Sequence, residues 1–302
     1  MPFKSRTEPE KLKILRVLNS RMNLTADEQK YYLNLEKGYE GEVQFDLLTE
    51  KLQSDCLILN DLLLEVNNTK FQIDTLIIYQ ETTYLFEVKN YEGDFYFDHD
   101  ILQTISGKEI KNPLDQLKRS NSLLRQLLQN LGFNINVEAY VIFINHEFTL
   151  YQTPLNLPII FPTQLNRFLK KLDTKPSRLN SVHKKLADKL VSLHQTESPP
   201  YSRLPPYDYN LLKKGNTCKD CHSFSMFVGG HKIVCSECGC EELVATAVIR
   251  SVEELKLLFP DRKITTNGVY DWCRVVESKK RISRILVENY KVNGSCKWTF
   301  FE

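Results

Sequence analysis

Between Phe71 and Asn90 the chain reads FQIDTLIIYQETTYLFEVKN, two apolar runs rich in Ile, Tyr, Phe, Val and Thr around a polar break. Runs of this kind predict strands over 71–79 and 84–89, with Gln80-Glu81-Thr82-Thr83 as the hairpin turn. A loop centred on Glu81 and Thr82 sets Asp74 opposite Lys89, with Glu87 one diagonal step away on the same face. Two carboxylates and an ammonium then share one side of an otherwise apolar hairpin. Elsewhere the pattern alternates between helix and strand. Pro9-Glu10 opens a helical segment carrying Ile14, Leu15, Val17 and Leu18, and Thr25-Ala26-Asp27-Glu28 has the form of a capping box. A helix is predicted over 42–53 with Val43, Phe45, Leu47, Leu48 and Leu52 inward, and Gly38 and Gly41 leave room for close approach at its start.

Residues 56–64 read as a strand, Asn67-Asn68 as a turn and Phe95-Tyr96-Phe97 as another strand. Asp98-His99-Asp100 reads as a turn in preference to a metal cluster, since Asp favours turns by local hydrogen bonding. Asn112-Pro113 opens a helix to about Leu131 with Leu117, Leu124, Leu127, Leu128 and Leu131 as its buried stripe. Lys118, Arg119 and Arg125 on it suit either a phosphate backbone or a solvated face. The nearly continuous apolar run 137–145 predicts a central strand covered on both sides, and helices follow over 163–172 and 176–194.

Composition adds constraints rather than an identity. The chain has 302 residues, a net charge of only +2 and eight cysteines. Any nucleic-acid surface must therefore be local. The N-terminus lacks the apolar core of a signal peptide, and no stretch approaches the ~18 apolar residues of a membrane span. A cytoplasmic protein is expected, its cysteines reduced or metal-bound.

Two carboxylates close together make a hard oxygen site suited to Mg²⁺ or Mn²⁺, and a neighbouring lysine can hold an attacking water or neutralise a phosphate. Glu-x-Lys alone also occurs in ordinary charged strands. Lys37-Gly38-Tyr39-Glu40-Gly41-Glu42, Asp74, Glu87-Val88-Lys89-Asn90 and Asn112-Pro113-Leu114-Asp115-Gln116, in that order, together resemble the NERD (nuclease-related) domain of the PD-(D/E)xK nuclease superfamily. The resemblance implies an α/β, restriction-endonuclease-like core, a mixed sheet flanked by helices. It implies Mg²⁺ held by Asp74, Glu87 and the Val88 carbonyl, with Lys89 on the attacking water, Glu42 as an additional acidic residue and Gln116 reaching the substrate. Glu42 is equally a glutamate favoured by the dipole of a helix's first turn, and Gln116 equally a surface glutamine.

A Pro-rich stretch from Thr196 marks a spacer. Beyond it Cys218-x₂-Cys221 and Cys235-x₂-Cys238 have the spacing of a tetrahedral structural Zn²⁺ site, with 224–228, Gly229-Gly230 and 231–234 as a hairpin between them. This resembles a small Cys₄ zinc ribbon, in which the metal folds the module. His222 and Cys240 are substitute ligands of lower merit, and Cys56, Cys273 and Cys296 read as small buried hydrophobes. The tail predicts three helices, capped by Ser251, by Thr265 or Thr266, and by Ser278, then a strand over 296–301. That order resembles a winged helix-turn-helix, with Lys279, Lys280, Arg281 and Arg284 on a basic third helix. The same charges also suit a merely solvated helix.

The expected divisions are a helical segment 1–35, a nuclease-like domain 36–195, a linker 196–214, a ribbon 215–243 and a winged-helix-like module 244–302. The expectation is a Mg²⁺-dependent hydrolase of DNA phosphodiester bonds, in DNA processing or defence against foreign DNA. The alternatives are an inactive DNA-binding or regulatory protein of the same fold, and a nuclease for RNA. A homodimer would supply two sites for two strands; a helicase partner is left undetermined.

Overall fold

A computed structural model describes residues 1–99, 101–195, 203–295 and 298–302. The expected turn residue Asp100, the first part of the Pro-rich spacer and Cys296 lie outside the described residues. Contacts divide the chain into two units, Met1–Glu8 with Leu33–Pro200, and Pro9–Tyr32 with Tyr201–Glu302.

The chain opens with α1 (Glu10–Arg21) and α2 (Ala26–Thr49). Thr25 and Glu28 form the expected capping box, each side chain accepting from the other's backbone N–H. The helix expected to begin at Glu42 is instead the last half of α2, so Gly38 and Gly41 lie within a helix. Leu47, expected inward, is exposed, while Phe45 is buried.

Next come β1 (Leu57–Val66), β2 (Thr69–Ile78) and β3 (Thr82–Lys89), then β4 (Gly93–Asp98), β5 (Ile101–Thr104) and β6 (Glu109–Ile110). The first unit continues with α3 (Pro113–Asn130), β7 (Asn136–Phe143), β8 (Phe148–Tyr151), β9 (Ile159–Ile160), α4 (Pro162–Asp173) and α5 (Ser181–Ser192). Among the described residues a five-stranded mixed sheet runs β1-β2-β3-β7-β9, antiparallel up to β3 and parallel beyond it. The apolar run of β7 sits inside this sheet, as its continuous hydrophobicity requires. One face packs on α3 and α5 through Leu117, Leu124, Leu127, Leu186 and Leu190. The other packs on Phe45 of α2 and on Leu165, Leu169 and Leu172 of α4. A second sheet, β6-β5-β4-β8, was only partly legible, because three of its strands, β5, β6 and β8, carry too few residues to show a period. The segment before α1 also belongs here: Lys4 bridges Leu59 in parallel, adding backbone to the open edge of β1.

The turn residues Asn67 and Asn68 both take positive φ, 50° and 58°, which fits a tight β1–β2 hairpin. The β2–β3 register differs from the expectation. Thr75 pairs with Phe86 and Ile78 with Thr83, so the loop centres on Gln80-Glu81 and Glu87, not Lys89, comes opposite Asp74. The slip is two residues, so every side chain keeps its face.

The second unit adds β10 (Met226–Gly229), β11 (Lys232–Cys235), β12 (Glu241–Leu243), α6 (Val244–Leu258), α7 (Thr266–Cys273), α8 (Lys279–Asn289), β13 (Val292–Asn293) and β14 (Phe300–Phe301). The β10–β11 turn is Gly230-His231, one residue beyond the expected pair of glycines. Ser251, expected as a cap, is buried inside α6, whereas Thr265 and Ser278 do cap α7 and α8. Tyr209 and Leu212 are buried in this unit's core, so the chain approaching residue 214 is packed rather than a free spacer. Asn289, expected on the apolar face of α8, is exposed.

Gly41 and Gly38 separate two uses of glycine. A Cβ on Gly41 would lie 2.5 Å from Asn90 Cβ and 3.2 Å from Ile144, whereas one on Gly38 would meet nothing within 4 Å. Gly41→Ala is therefore expected to cost about 1–2 kcal/mol, overpacking outweighing better helix propensity, while Gly38→Ala gains about 0.5–1 kcal/mol. Urea unfolding of both variants checks the opposite signs.

Candidate active site and metal centre

The β2–β3 ladder ends at Thr75 and Phe86, and the next opposed residues, Asp74 and Glu87, carry the site. Where the ladder stops, a side chain takes over: Val88 N–H donates to Asp74 Oδ2 at 2.8 Å. Backbone geometry on the other flank of β2 is also special. Asp61, facing Asp74 across the β1–β2 register, has φ +54° and is skipped by that ladder. Residues facing α3 are Leu62, Leu64, Phe71 and Ile73 on one side of this point, and Leu59, Leu76 and Ile78 on the other. Both strands thus exchange faces there. Asp74 consequently joins the face of Glu87 and Lys89.

Both carboxyl groups are buried, Asp74 being 6 % and Glu87 1 % exposed. Lys89 Nζ donates to Glu87 Oε1 at 2.5 Å and to Gln116 Oε1 at 3.3 Å. Gln116 is delivered by the first turn of α3, whose start is set by Asn112 Oδ1 accepting from Leu114 N–H and by Pro113. The expected residues Asp74, Glu87, Lys89 and Gln116 are therefore brought together.

Glu42 arrives from α2 by way of a residue with no sequence signal. Arg6 NH1 donates to Glu42 Oε2 at 2.5 Å, its Nε and NH2 grip Asp46 at 2.9 and 3.1 Å, and NH2 also reaches the Asp74 carbonyl at 2.8 Å. Arg6 lies far from these partners in sequence and in no periodic element, so no local pattern could mark it. The Lys4 ammonium pins the same segment to the Asn60 and Asp61 carbonyls at 2.8 and 2.7 Å. Asn90, from the same motif, donates to the Lys37 carbonyl at 2.7 Å, tying α2 to the end of β3.

Electrostatics follow from this crowding. Burial, then the Asp74 charge, push Glu87 up to about 7 against the pull of Lys89. Burial and Asp74 likewise push Glu42 up to about 8 against Arg6, and burial raises Asp74. Lys89 is lowered by burial but raised overall by Glu87 and Asp74. The cluster holds more negative charge than Arg6 and Lys89 neutralise, and its donors are hard oxygens, which fits a divalent cation such as Mg²⁺. Val88 follows Glu87 in the chain and donates its N–H to Asp74, which sets its backbone beside both carboxylates.

Among the described residues, Cys218, Cys221, Cys235 and Cys238 form the group of three or more His, Cys, Asp or Glu whose ligand atoms all gather within 4.8 Å. Cys218 Sγ lies 3.6 Å from Cys238 Sγ and Cys221 Sγ 3.5 Å from Cys235 Sγ. These separations are far too long for disulfides and near the ~3.8 Å edge of a tetrahedron with 2.3 Å Zn–S bonds. The quartet could hold a structural zinc ion. His222 and Cys240 fall outside it.

Of the basic residues expected on α8, Lys280 and Arg284 are exposed, Lys279 donates to Asn267 Oδ1 at 3.0 Å, and Arg281 donates to the Gly230 carbonyl at 2.9 Å. Arg281 is thus spent on holding the β10–β11 turn. On α3, Arg125 is likewise committed to the Val137 carbonyl, leaving Lys118 and Arg119 exposed.

Residues 37–144 match the family model of the nuclease-related domain, NERD. The matched segment contains Glu42, Asp74, Glu87, Lys89 and Gln116; it begins after Arg6 and ends before the cysteine quartet. No curated protein and no solved structure matches the chain. The match suggests a nuclease-related function and divalent-metal use for the NERD segment. Among the described residues no helix is long and apolar enough to cross a membrane.

Two expectations follow. Glu42 and Glu87 are raised to about 8 and about 7 in the folded state, and Asp74 is raised too, so their contribution to stability is present at low pH and, for Glu42 and Glu87, lost as pH rises through about 7–8. Without added divalent metal, urea unfolding should show stability falling from pH 5 to pH 8, with a shallower fall in Glu87→Gln. Purified protein should carry one zinc per chain by elemental analysis, and Cys235→Ser should lose it.

Proposed function

We propose that the NERD segment, completed by Arg6, is a metal-dependent nuclease that hydrolyses DNA phosphodiester bonds on a restriction-endonuclease-like core. The observation that carries this reading is the opposed, buried Asp74–Glu87 pair with Lys89 held between Glu87 and Gln116. Asp74, Glu87 and the Val88 carbonyl would hold Mg²⁺ or Mn²⁺. The ion would supply Lewis-acid polarisation of a phosphoryl oxygen.

The chain's own groups do the rest. Val88 N–H donates to Asp74 Oδ2, which fixes the carboxylate that would hold the ion. Lys89 positions the attacking water and offsets negative charge growing on the phosphate. Gln116 restrains the ammonium from the other side and orients substrate at the first turn of α3. Glu42, restrained by Arg6, adjusts the charge of the cluster. The cysteine quartet would keep its Zn²⁺ as a fold-forming ion. Helices α6 to α8 with the β13–β14 hairpin would serve as a winged-helix-like grip on DNA, through Lys279, Lys280 and Arg284. DNA processing or attack on foreign DNA suits this chemistry.

Linear, circular and single-stranded DNA, with an RNA of the same sequence, test the reading in Mg²⁺ or Mn²⁺. Metal-dependent cutting is expected to fall on the order of 10³-fold in Lys89→Ala and in Asp74→Ala. Undiminished cutting in Asp74→Ala, or none by the wild type on any substrate, overturns it. Cutting confined to RNA moves the substrate.

A further inference from the structure

In the second unit Lys214, Arg262 and Arg274 gather near Tyr209 and Asp271. The buried Tyr209 ring carries the Arg262 guanidinium, Cζ 3.5 Å from its centroid, and the Lys214 ammonium at 3.4 Å. Lys214 also stands 4.7 Å from the Trp272 ring centroid and donates to the Tyr209 carbonyl. Arg274 NH2 lies 3.6 Å from Asp271 Oδ1, and the Tyr209 hydroxyl donates to Asp271 Oδ2 at 2.8 Å. Asp271 is thus shared between Arg274 and a tyrosine. Arg262 and Arg274 are exposed.

These cations are held in place and remain under-neutralised. Stacking on a buried aromatic ring fixes a guanidinium while leaving its N–H edge free, which suits a phosphate oxygen pair. Burial, with Arg21, Arg262 and Arg274 close by, pulls Lys214 down to about 8 against the attraction of Asp271. Arg274 ends α7 at φ +51°, a conformation in which glycine would be unstrained, yet the position carries a charge. By contrast Arg281 of α8 is already committed to the Gly230 carbonyl.

We propose that Lys214, Arg262 and Arg274 form a phosphate-binding patch for the sugar-phosphate backbone of duplex DNA. It rests on the reading that DNA is the substrate of the NERD segment, and it adds a backbone clamp built from residues outside α8. Contacts of this type position a duplex without reading its sequence.

The test uses the full-length, zinc-loaded chain and a fluorescent duplex of arbitrary sequence, with no added Mg²⁺ so that the duplex stays intact. Binding is measured by anisotropy across a salt series. Arg262→Gln combined with Arg274→Gly removes two charges, and the glycine relieves the left-handed backbone, so thermal unfolding should show an intact fold. The expected result is about tenfold weaker binding near 0.15 M salt, with the slope of log affinity against log salt shallower by about 2. Asp271→Asn, which keeps an acceptor for Tyr209, should bind more tightly. A double variant matching a binding-competent wild type in affinity and slope overturns the patch alone. A wild type that binds no duplex overturns the DNA reading, and the patch with it.

Discussion

Everything around the candidate site answers one electrostatic constraint: two buried carboxylates, Asp74 and Glu87, face each other across neighbouring strands. Like charges withdrawn from water repel strongly and lose their hydration, so such a pair persists only with cations and hydrogen bonds arranged for it. The strands stop exchanging ladder bonds at this point, and Val88 N–H turns to the Asp74 carboxylate instead. Lys89 stays within reach of Glu87, and Gln116 restrains Lys89 from the start of α3. Arg6 does the same for Glu42 and Asp46 while fastening the Asp74 backbone. Burial, then the Asp74 charge, push Glu42 and Glu87 up, and because Arg6 and Lys89 are fewer than the four carboxylates of the cluster, a divalent cation is the natural complement.

The frame that delivers these groups is a mixed sheet with a helix layer on each face. Gly41 lets α2 lie against Asn90 at the end of β3, a separation that any side chain would enlarge. Asn90 then bonds back to the α2 backbone at Lys37 and receives a bond from Asn145 after β7. The end of β3 is therefore clamped on both sides, immediately beyond Lys89. This is how a rigid scaffold holds a reactive side chain.

In the second unit a different device recurs. Buried Arg21 donates to the Lys213 and Gly215 carbonyls, pairs with Glu254, and stacks 4.1 Å from the Trp272 centroid. Trp272, Tyr209 and Phe259 pack as an aromatic group beside it. Cations on rings organise this core and its rim alike, and the four cysteine sulfurs of the quartet gather at the ends of the β10–β11 hairpin.

Much of this was legible from sequence because it depends on local rules. Apolar alternation and β-branched runs mark the strands from β1 to β3 and β7, Asn112-Pro113 marks the start of α3, and paired Cys-x₂-Cys marks a metal-binding group. A slip of an even number of residues leaves every side chain on its face, so Asp74, Glu87 and Lys89 could be grouped even with the pairing misplaced by two residues. What the sequence by itself determined, then, is where most of the elements lie and which carboxylates and which lysine can share a face. Tertiary structure alone decided the partners. The exact opposition of Asp74 to Glu87 depends on where the β2–β3 loop tightens, the strand reversal at Asp61 on a left-handed residue, and the capture of Glu42 on Arg6, 36 positions away. The spent role of Arg281 and the stacking of Arg262 on Tyr209 likewise join residues 51 and 53 positions apart. Contacts at such separations leave no periodic trace in the chain, because they are selected by the packing of whole elements rather than by the conformational preferences of neighbouring residues.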